Sequence, residues 1–363
     1  MFRFDDILKK NKQLDRPIPG GAPASNIPET NESADKREDQ ANIAGQNSQI
    51  PNSNFSAIIN PSAKKINSDK IKLIYQGLYE GAKKTYQLGN SDAMLINIES
   101  SLIFLDDCIN GLNQGSDEFL RLCLLDYSDV REFLYYHVVN VCVISLYFGI
   151  CLYYNQEQLR EIGLGAFLHD IGQINYLELI NKPDKFTPAE YKTIHNHPRD
   201  GVAILNKVFP GLSKDILGII YQEHERLNAT GYPNGLAGEQ IIDFARIVSM
   251  ADVYEALVHR RPYRAKHTPL EAINNILGCK ESFDPKITKL LIERIGIFPV
   301  GVTVRLSTKE IATVIKGNSG LPLRPTVNIV ADANGKYLKE ARLLDLAESP
   351  VIYIEDCMDY LVK

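Results

Sequence analysis

The stretch GAFLHDIG, residues 165–172, ends an apolar, small-residue run with an adjacent imidazole and carboxylate, His169 and Asp170. A helix of this composition is expected to be buried, and a buried carboxylate requires a cation or several hydrogen bonds. A metal ion would satisfy Asp170, because mixed His and Asp ligands suit iron, manganese or zinc. A core histidine bonded to the neighbouring aspartate would be the simpler explanation of an isolated pair.

Further candidate ligands recur on both sides of this pair at intervals of about 27 to 32 residues. Each interval accommodates two helices with their turns, so successive helix pairs can each deliver a ligand to one centre. Six N and O ligands exceed the four of a tetrahedral zinc site. They suit two octahedral ions that share a bridging carboxylate and activate a water for attack on phosphorus. The candidates are His137, His169, Asp170, His197, His224 and Asp252.

The overall composition is that of a soluble protein, with 363 residues, 44% hydrophobic and 23% charged. This length allows one large or two smaller domains. The formal net charge of -5 leaves no broad basic surface, so duplex nucleic acid is not expected as a partner. Six cysteines lack a CxxC pair and no signal pattern precedes them, which predicts reduced thiols in the cytoplasm.

Changes in composition divide the chain into four predicted segments. Residues 1–66 are rich in Asn, Gln, Ser and Pro and are predicted to form a disordered arm or linker. Residues 67–127 have amphipathic periodicity and predict an amino-terminal helical domain, for which we expect a sensory role or homodimerisation. Residues 128–298 hold the candidate ligands on helices, and residues 299–363 predict a small β appendage. Its strand-like runs are residues 302–306, 311–315, 326–330 and 351–354.

Residues 133–154 are mostly apolar and long enough to cross a bilayer. However, the segment contains His137, Asn140 and Ser145, and acidic rather than basic residues flank it. We therefore predict a buried helix and no membrane span.

The helix that carries His197 is expected to begin at a capping box with proline at its first position, residues 187–190. This helix is predicted to hold both His195 and His197. Two positions apart on a helix, these side chains point about 200° away from each other, so only one can be a ligand. His197 is the predicted ligand, and His195 is expected beside the centre or at the surface.

The loop at residues 226–239 follows Glu223 and His224 and is expected to form one wall of a cleft. Its Tyr232 lies between a glycine and a proline. The ring can stack on a base or the hydroxyl can bond a phosphate, but a Tyr-Pro turn is commonly structural, and both interpretations stay open.

Asp252 lies in an apolar helical run, where a carboxylate is costly unless it bonds a metal or a donor. Arg261 and Arg264 follow, with Lys266 close by. Guanidinium groups bind phosphate oxygens in bidentate fashion, so this cluster is predicted to clamp a phosphodiester. A solvated basic loop is the alternative.

Eight short motifs occur together in one order between about residues 130 and 300: His169-Asp170-Ile171-Gly172, His197-Pro198 with Gly201, His224-Glu225-Arg226, Gly231-Tyr232-Pro233, Gly235-Leu236, Gly238-Glu239, Ala251-Asp252-Val253-Tyr254 and Arg261-Pro262-Tyr263-Arg264. In order and spacing they resemble the HD-GYP family. The resemblance implies an all-helical HD-domain bundle with two or three metal ions that opens cyclic di-GMP. Three-metal members have a glutamate where this chain has Phe133, so two ions are expected, iron or manganese rather than zinc.

Three departures from the family pattern concern the chemistry. Gln173 stands where the family usually has a lysine, so a positive charge for a phosphate is missing. Glu223 precedes His224 where two histidines are usual, which changes the charge and hardness of the site. Asn228 and Ala229 replace Asp-Gly and remove a carboxylate and a flexible turn residue.

The sequence therefore predicts a mainly α phosphodiesterase of bacterial signalling that cuts cyclic di-GMP to linear pGpG and/or GMP with a metal-activated hydroxide. A divergent receptor that holds metal and nucleotide without turnover is the alternative. An HD-type hydrolase of a mononucleotide or another cyclic dinucleotide is a third hypothesis. Asp170 and Gln173 are the predicted catalytic residues. The predicted metal ligands are His137, His169, Asp170, His197, Glu223, His224 and Asp252, and the predicted substrate-binding residues are Tyr232, Arg261, Arg264 and Lys266.

Overall fold

A bundle of helices is followed by one small antiparallel sheet, which confirms the predicted mainly α fold with a β appendage. The computed structural model describes residues 66–89, 92–115, 118–126, 129, 132–262, 264–318 and 320–358. The predicted arm at residues 1–66 lies outside these ranges except for Ile66.

Twelve α-helices lie within the described residues, with 3-10 turns at Ile171–Tyr176, Gly238–Gln240 and Lys280–Ser282 and a π turn at Leu291–Ile295. The helices are α1 Ser68–Leu88, α2 Asp92–Asn113, α3 Glu118–Cys123, α4 Phe133–Cys151, α5 Gln156–Leu168, α6 Leu177–Ile180, α7 Pro188–Ile194, α8 His197–Val208, α9 Lys214–Gln222, α10 Asp243–Val258, α11 Pro269–Gly278 and α12 Pro285–Leu290.

Helix α4 is the central element of the bundle, and α1, α5 and α10 pack around it. It is long and apolar enough to cross a bilayer, but 83% of its most apolar window is buried within the protein. The prediction of a buried helix is confirmed. Its polar Asn140 is buried but satisfied, because it accepts from Tyr75 at 2.6 Å and donates to Glu255 at 3.1 Å.

The prediction that His195 and His197 share one helix is wrong. The capping box at Thr187 is present, but α7 ends at Ile194 and α8 begins at His197. Pro198 has no N–H to donate to the carbonyl of Ile194, so α7 cannot continue through it. The ring Nδ1 of His197 donates to that carbonyl instead, at 2.8 Å. The helix break therefore orients the imidazole.

Helices α1 and α2 pack directly on the bundle that carries the candidate ligands. Helix α1 contacts α4, and α2 contacts α5, where Asp106 forms a bidentate pair with Arg160 at 2.7 and 2.9 Å. The described residues between 66 and 358 belong to one compact unit by their contacts. The proposed boundary after residue 127 thus lies between elements that share a core.

The carboxy-terminal sheet has the strand order β4-β3-β2-β1-β5, with all neighbours antiparallel. The predicted runs at 302–306, 311–315 and 326–330 are strands, whereas the run at 351–354 lies mostly before its strand. The exposed, charged edge strand β4 was not predicted. The strands are β1 Thr303–Leu306, β2 Ile311–Lys316, β3 Thr326–Ala331, β4 Tyr337–Asp345 and β5 Ile354–Met358.

Candidate metal centre

The seven residues predicted as metal ligands come together in one buried cluster. The two residues that follow α5 are His169 and Asp170, while α4, α8, the end of α9 and α10 supply the others. Within the described residues, the potential ligand atoms form two groups, and in each group these atoms lie within 4.8 Å of one another. One group is Asp170, His197, Glu223 and His224, and the other is His137, His169 and Asp252.

Asp170 joins the two groups because its two oxygens face different sets of imidazoles. Its Oδ1 lies 3.3 Å from Nε2 of His197. Its Oδ2 lies 3.3 Å from Nε2 of His169 and 3.5 Å from Nε2 of His137. This is the arrangement expected of a carboxylate that bridges two ions.

Nε2 of His137, His169 and His197 is directed at the carboxylate of Asp170, whereas His224 turns its Nδ1 towards Glu223. Nδ1 of His169 faces the carbonyl of Ala166 at 2.7 Å and must donate, because a carbonyl only accepts. Among the described residues, Nε2 of His137 and His169 and both oxygens of Glu223 are buried without a hydrogen-bond partner. Buried polar atoms are rarely left unsatisfied. Divalent ions between the two groups would satisfy them, so the donor set fits a metal centre.

A close backbone approach brings the two groups together. A Cβ atom on Gly172 would lie 2.0 Å from the carbonyl oxygen of His197 and 2.7 Å from the amide nitrogen of Gly201. The 3-10 turn after Asp170 and the first turn of α8 can therefore touch only because residue 172 is glycine. This contact positions His197 beside Asp170.

Glu255 is part of the site but was not predicted from the sequence. Its carboxylate accepts from Nδ1 of His137 and lies 3.0 Å from Nδ1 of His259 and 3.7 Å from Nη2 of Arg261. A carboxylate behind a ligating histidine fixes the ring orientation and its tautomer. Glu255 follows Asp252 by three residues in an apolar helix, so its position on the same face was a usable signal.

Burial and neighbouring charges shift the pKa values of the cluster in opposite directions. Burial lowers the pKa of His169, but the carboxylates of Asp170, Glu223 and Asp252 outweigh it and raise that pKa to about 10. Burial raises the pKa of Glu223 to about 7. For Asp170, burial is outweighed by His169, His197 and His137, which hold its pKa well below the usual value.

The predicted polar residues around the cluster have contacts of their own. Gln173 donates its side-chain amide to Oδ1 of Asp170. The guanidinium of Arg261 is buried and lies 4.8 Å from the ring centre of Phe133. Arg264 donates to the carbonyl of Ala256 and Lys266 pairs with Asp126. The structure therefore brings Gln173 to the cluster, while the contacts recorded for Arg264 and Lys266 lie outside it.

The loop after His224 is fixed by a buried carboxylate and a stack of rings. Glu225 accepts from the amides of Asn234 at 2.7 Å and Leu236 at 2.8 Å. Tyr232 lies between two imidazoles, with ring centres 3.8 Å from His195 and 4.6 Å from His224. Both faces of Tyr232 are covered by these rings. Its proposed stacking on a base stays a prediction.

Comparisons with known proteins find two matching domains in this chain. An HD domain matches residues 128–287, and a KOW domain associated with HD domain matches residues 303–360. Cyclic di-GMP phosphodiesterase PA4108 of Pseudomonas aeruginosa is 33% identical over 246 residues, which cover 68% of this chain and 59% of that protein. The chain belongs to the HD-GYP family.

Another curated relative has a different cyclic dinucleotide in its name. 3'3'-cGAMP-specific phosphodiesterase 1 of Vibrio cholerae is 32% identical over 164 residues, covering 44% of this chain and 38% of that protein. Bd1817, an HDG"Y"P protein from Bdellovibrio bacteriovorus, has the same fold, with a TM-score of 0.51 and 17% identity over 65% of this chain and 74% of that one. The chain thus spans between about two fifths and three fifths of these two curated relatives.

Proposed function

We propose that this chain is a metal-dependent phosphodiesterase that hydrolyses cyclic di-GMP to linear pGpG and/or GMP. The bridging position of Asp170 carries the proposal, because a core histidine-aspartate pair does not require two oxygens facing three imidazoles. Names of similar proteins support a cyclic dinucleotide as the substrate class.

The two groups of ligands would each hold one divalent ion. His137, His169 and Asp252 would hold one, and His197, Glu223 and His224 the other, with Asp170 shared. Iron or manganese suits this nitrogen and oxygen set. Two such ions supply Lewis acidity and lower the pKa of a water that can attack phosphorus.

Side chains of the protein would position the reacting groups. Gln173 fixes Oδ1 of Asp170 through its amide, and Glu255 holds the ring of His137. The loop that contains Tyr232 is held by Glu225 and would form one wall of the cleft. Three cationic side chains were predicted to bind phosphate, and Arg261 is the one that contacts a predicted ligand. Its Nη2 lies 3.1 Å from Nδ1 of His137. Its release from Glu255 would be required before it could meet a phosphate.

Metal content and turnover measured on one sample test the proposal. We would determine iron, manganese and zinc per chain and incubate the protein with cyclic di-GMP, 3'3'-cGAMP and a mononucleotide. The expected result is two ions per chain and a linear or mononucleotide product. Asp170→Ala should lose both metal and turnover. A metal-loaded, fully active Asp170→Ala protein would show that the bridging role is wrong.

A receptor without turnover is the second candidate, because of the contact that Gln173 makes. Its amide is neutral and bonds Asp170, so it offers a substrate phosphate no charge. Gln173→Lys separates the two candidates. A slow enzyme is expected to accelerate, whereas a receptor that lacks other machinery should bind cyclic di-GMP without product in both forms.

A further inference from the structure

Helix α1 reaches the surroundings of the metal centre through the hydroxyl of Tyr75. This hydroxyl donates to Oδ1 of Asn140 at 2.6 Å, and Nδ2 of Asn140 donates to Oε1 of Glu255 at 3.1 Å. The other oxygen of Glu255 accepts from Nδ1 of His137. Three hydrogen bonds in series therefore connect α1 to an imidazole whose Nε2 faces the centre.

A second hydroxyl of α1 reaches the other side of the centre. Tyr86 is 2% exposed, and its hydroxyl donates to the carbonyl of Phe167 at 3.1 Å. Phe167 lies in the last turn of α5, two residues before His169 and three before Asp170. The backbone that carries the bridging carboxylate is thus bonded directly to α1.

The two tyrosines lie on one face of α1, because eleven residues correspond to about three helical turns. One helix consequently supports His137 through a side-chain series and Asp170 through the backbone. Helix α1 lies outside residues 128–287, which the HD domain matches. Nothing in the HD-domain pattern itself requires these hydroxyls.

We propose that Tyr75 and Tyr86 are positioning residues of the metal centre, through which the placement of α1 sets the affinity of the ligands for metal. The proposal rests on the metal centre of the proposed function. A shift of α1 along α4 would break both connections at once. The amino-terminal helices would in this way regulate the centre without contacting the substrate.

Metal affinity of single-hydroxyl variants tests the proposal without depending on turnover. Metal-free wild type, Tyr75→Phe and Tyr86→Phe would be titrated with Mn²⁺ by calorimetry, and their Co²⁺ absorption spectra compared. Loss of a group that orients a ligand typically weakens metal binding about tenfold or more. We expect about a tenfold higher Kd for each variant and a changed Co²⁺ spectrum at saturation.

Tyr79→Phe is the matched control, because Tyr79 lies on the same helix between the two residues and is buried like Tyr86. Its hydroxyl donates to Glu132 rather than to a group that bonds a ligand. It should bind Mn²⁺ with the wild-type Kd. Equal weakening in all three variants, or in none, would overturn the proposal, because the effect would then not follow the hydroxyl connections.

Asn140→Ala, alone and combined with Tyr75→Phe, decides the question if Tyr86→Phe does not fold. Residues that act in series give non-additive effects, so the double variant should bind Mn²⁺ no more weakly than Asn140→Ala. Additive losses would contradict a single series. A wild-type protein that takes up no Mn²⁺ would overturn the proposed function as well. Mn²⁺ uptake that is the same in wild type and variants would overturn only the role of the tyrosines.

Discussion

At the scale of single residues, protons and metal ions compete for the same lone pairs in this centre. The pKa of His169 is raised to about 10 in the metal-free protein, so its imidazole is protonated at neutral pH. The pKa of Glu223 is raised to about 7, so this carboxyl is partly protonated there. A metal ion binds only the deprotonated forms.

Metal binding should therefore release protons and strengthen as the pH rises. Between pH 7 and 9 we expect the Mn²⁺ affinity to rise about tenfold per pH unit, because one proton leaves His169. Calorimetry in buffers of different ionisation enthalpy measures the released proton directly. An affinity independent of pH over this range would contradict the charge state assigned to His169.

The same shift makes the metal-free fold less stable in alkali. Because the pKa of His169 is raised on folding, its protonation stabilises the fold. This stabilisation is complete below pH 6.5, the ordinary histidine pKa, and is lost as the pH rises towards about 10. The pH dependence from Asp170 has the opposite sign. Its pKa is lowered on folding, so its ionised carboxylate stabilises the fold above the ordinary pKa of 3.8, and this stabilisation is lost only in strong acid. Urea unfolding of the metal-free protein should give a lower free energy of unfolding at pH 9 than at pH 6.5. A higher free energy at pH 9 would contradict the raised pKa of His169.

Residue identity and spacing predicted which side chains come together in the cluster, but not Glu255 behind them. The His169-Asp170 pair alone did not indicate a centre; the recurrence of His and Asp at intervals of about 27 to 32 residues did. For Glu255 the local signal is its place on the Asp252 face of α10, and its contact with His137 comes from α4, which is distant in the chain. Only the packing of α10 on α4 shows that its carboxylate lies behind His137.

At the scale of elements, the contact between the 3-10 turn and α8 depends on one missing side chain. Gly172→Ala should destabilise the protein by about 3 kcal/mol, because a methyl group would overlap the carbonyl of His197. Mn²⁺ affinity should fall with it, since His197 moves away from Asp170. Gly278→Ala is the control, because no atom lies within 4 Å of the added methyl. Thermal unfolding measures the stability of both variants and calorimetry their Mn²⁺ affinity. Equal stability and affinity in the two variants would contradict the prediction.

The ring stack on the loop gives a second prediction at this scale. His195→Phe should keep the stack on Tyr232, whereas His195→Ala should uncover one face of that ring and loosen the loop. If the loop forms the cleft wall, KM for cyclic di-GMP should rise several-fold in the alanine variant with little change in the phenylalanine variant. Equal KM values in the two variants would remove His195 from any positioning role.

Some elements could not be placed from the sequence for physical reasons. The helix break at residues 195–196 was missed because the apolar spacing runs through it, although Pro198 marks it. Strand β4 was missed because an edge strand is exposed on much of its surface and lacks clear alternation. The capping box at Thr187 was found, since it depends only on local sequence.

At the scale of the whole molecule, metal removal should lower stability because the ligands come from helices across the bundle. A ligand at one hundred times its Kd stabilises the folded state by about 2.7 kcal/mol. For a chain of this size we expect chelation to lower Tm by roughly 3 to 5 °C for each ion removed. Differential scanning calorimetry with and without chelator measures this. Asp170→Ala should show no shift, and an equal shift there would mean that chelation acts elsewhere.

The arrangement of the molecule was the part least accessible to sequence. Residues 67–127 were predicted as a separate helical domain because their composition and caps stand apart from the motif region. In the structure α1 packs on α4, and Tyr75 and Tyr86 bond groups beside the ligands. Tyrosine in an amphipathic helix is ordinary, so no local signal distinguishes these two from others.

Glu223 also bears on electron transfer at the centre. It offers an anionic oxygen where the family pattern has a neutral imidazole, so three ligand carboxylates would balance three of the four charges on two divalent ions. Negative charge and hard oxygen donors stabilise the more oxidised state of a metal. With iron bound, the reduction potential would be lower than that of the same centre with histidine at position 223. With iron in the centre, this one carboxylate would favour the ferric state and oxidation by oxygen.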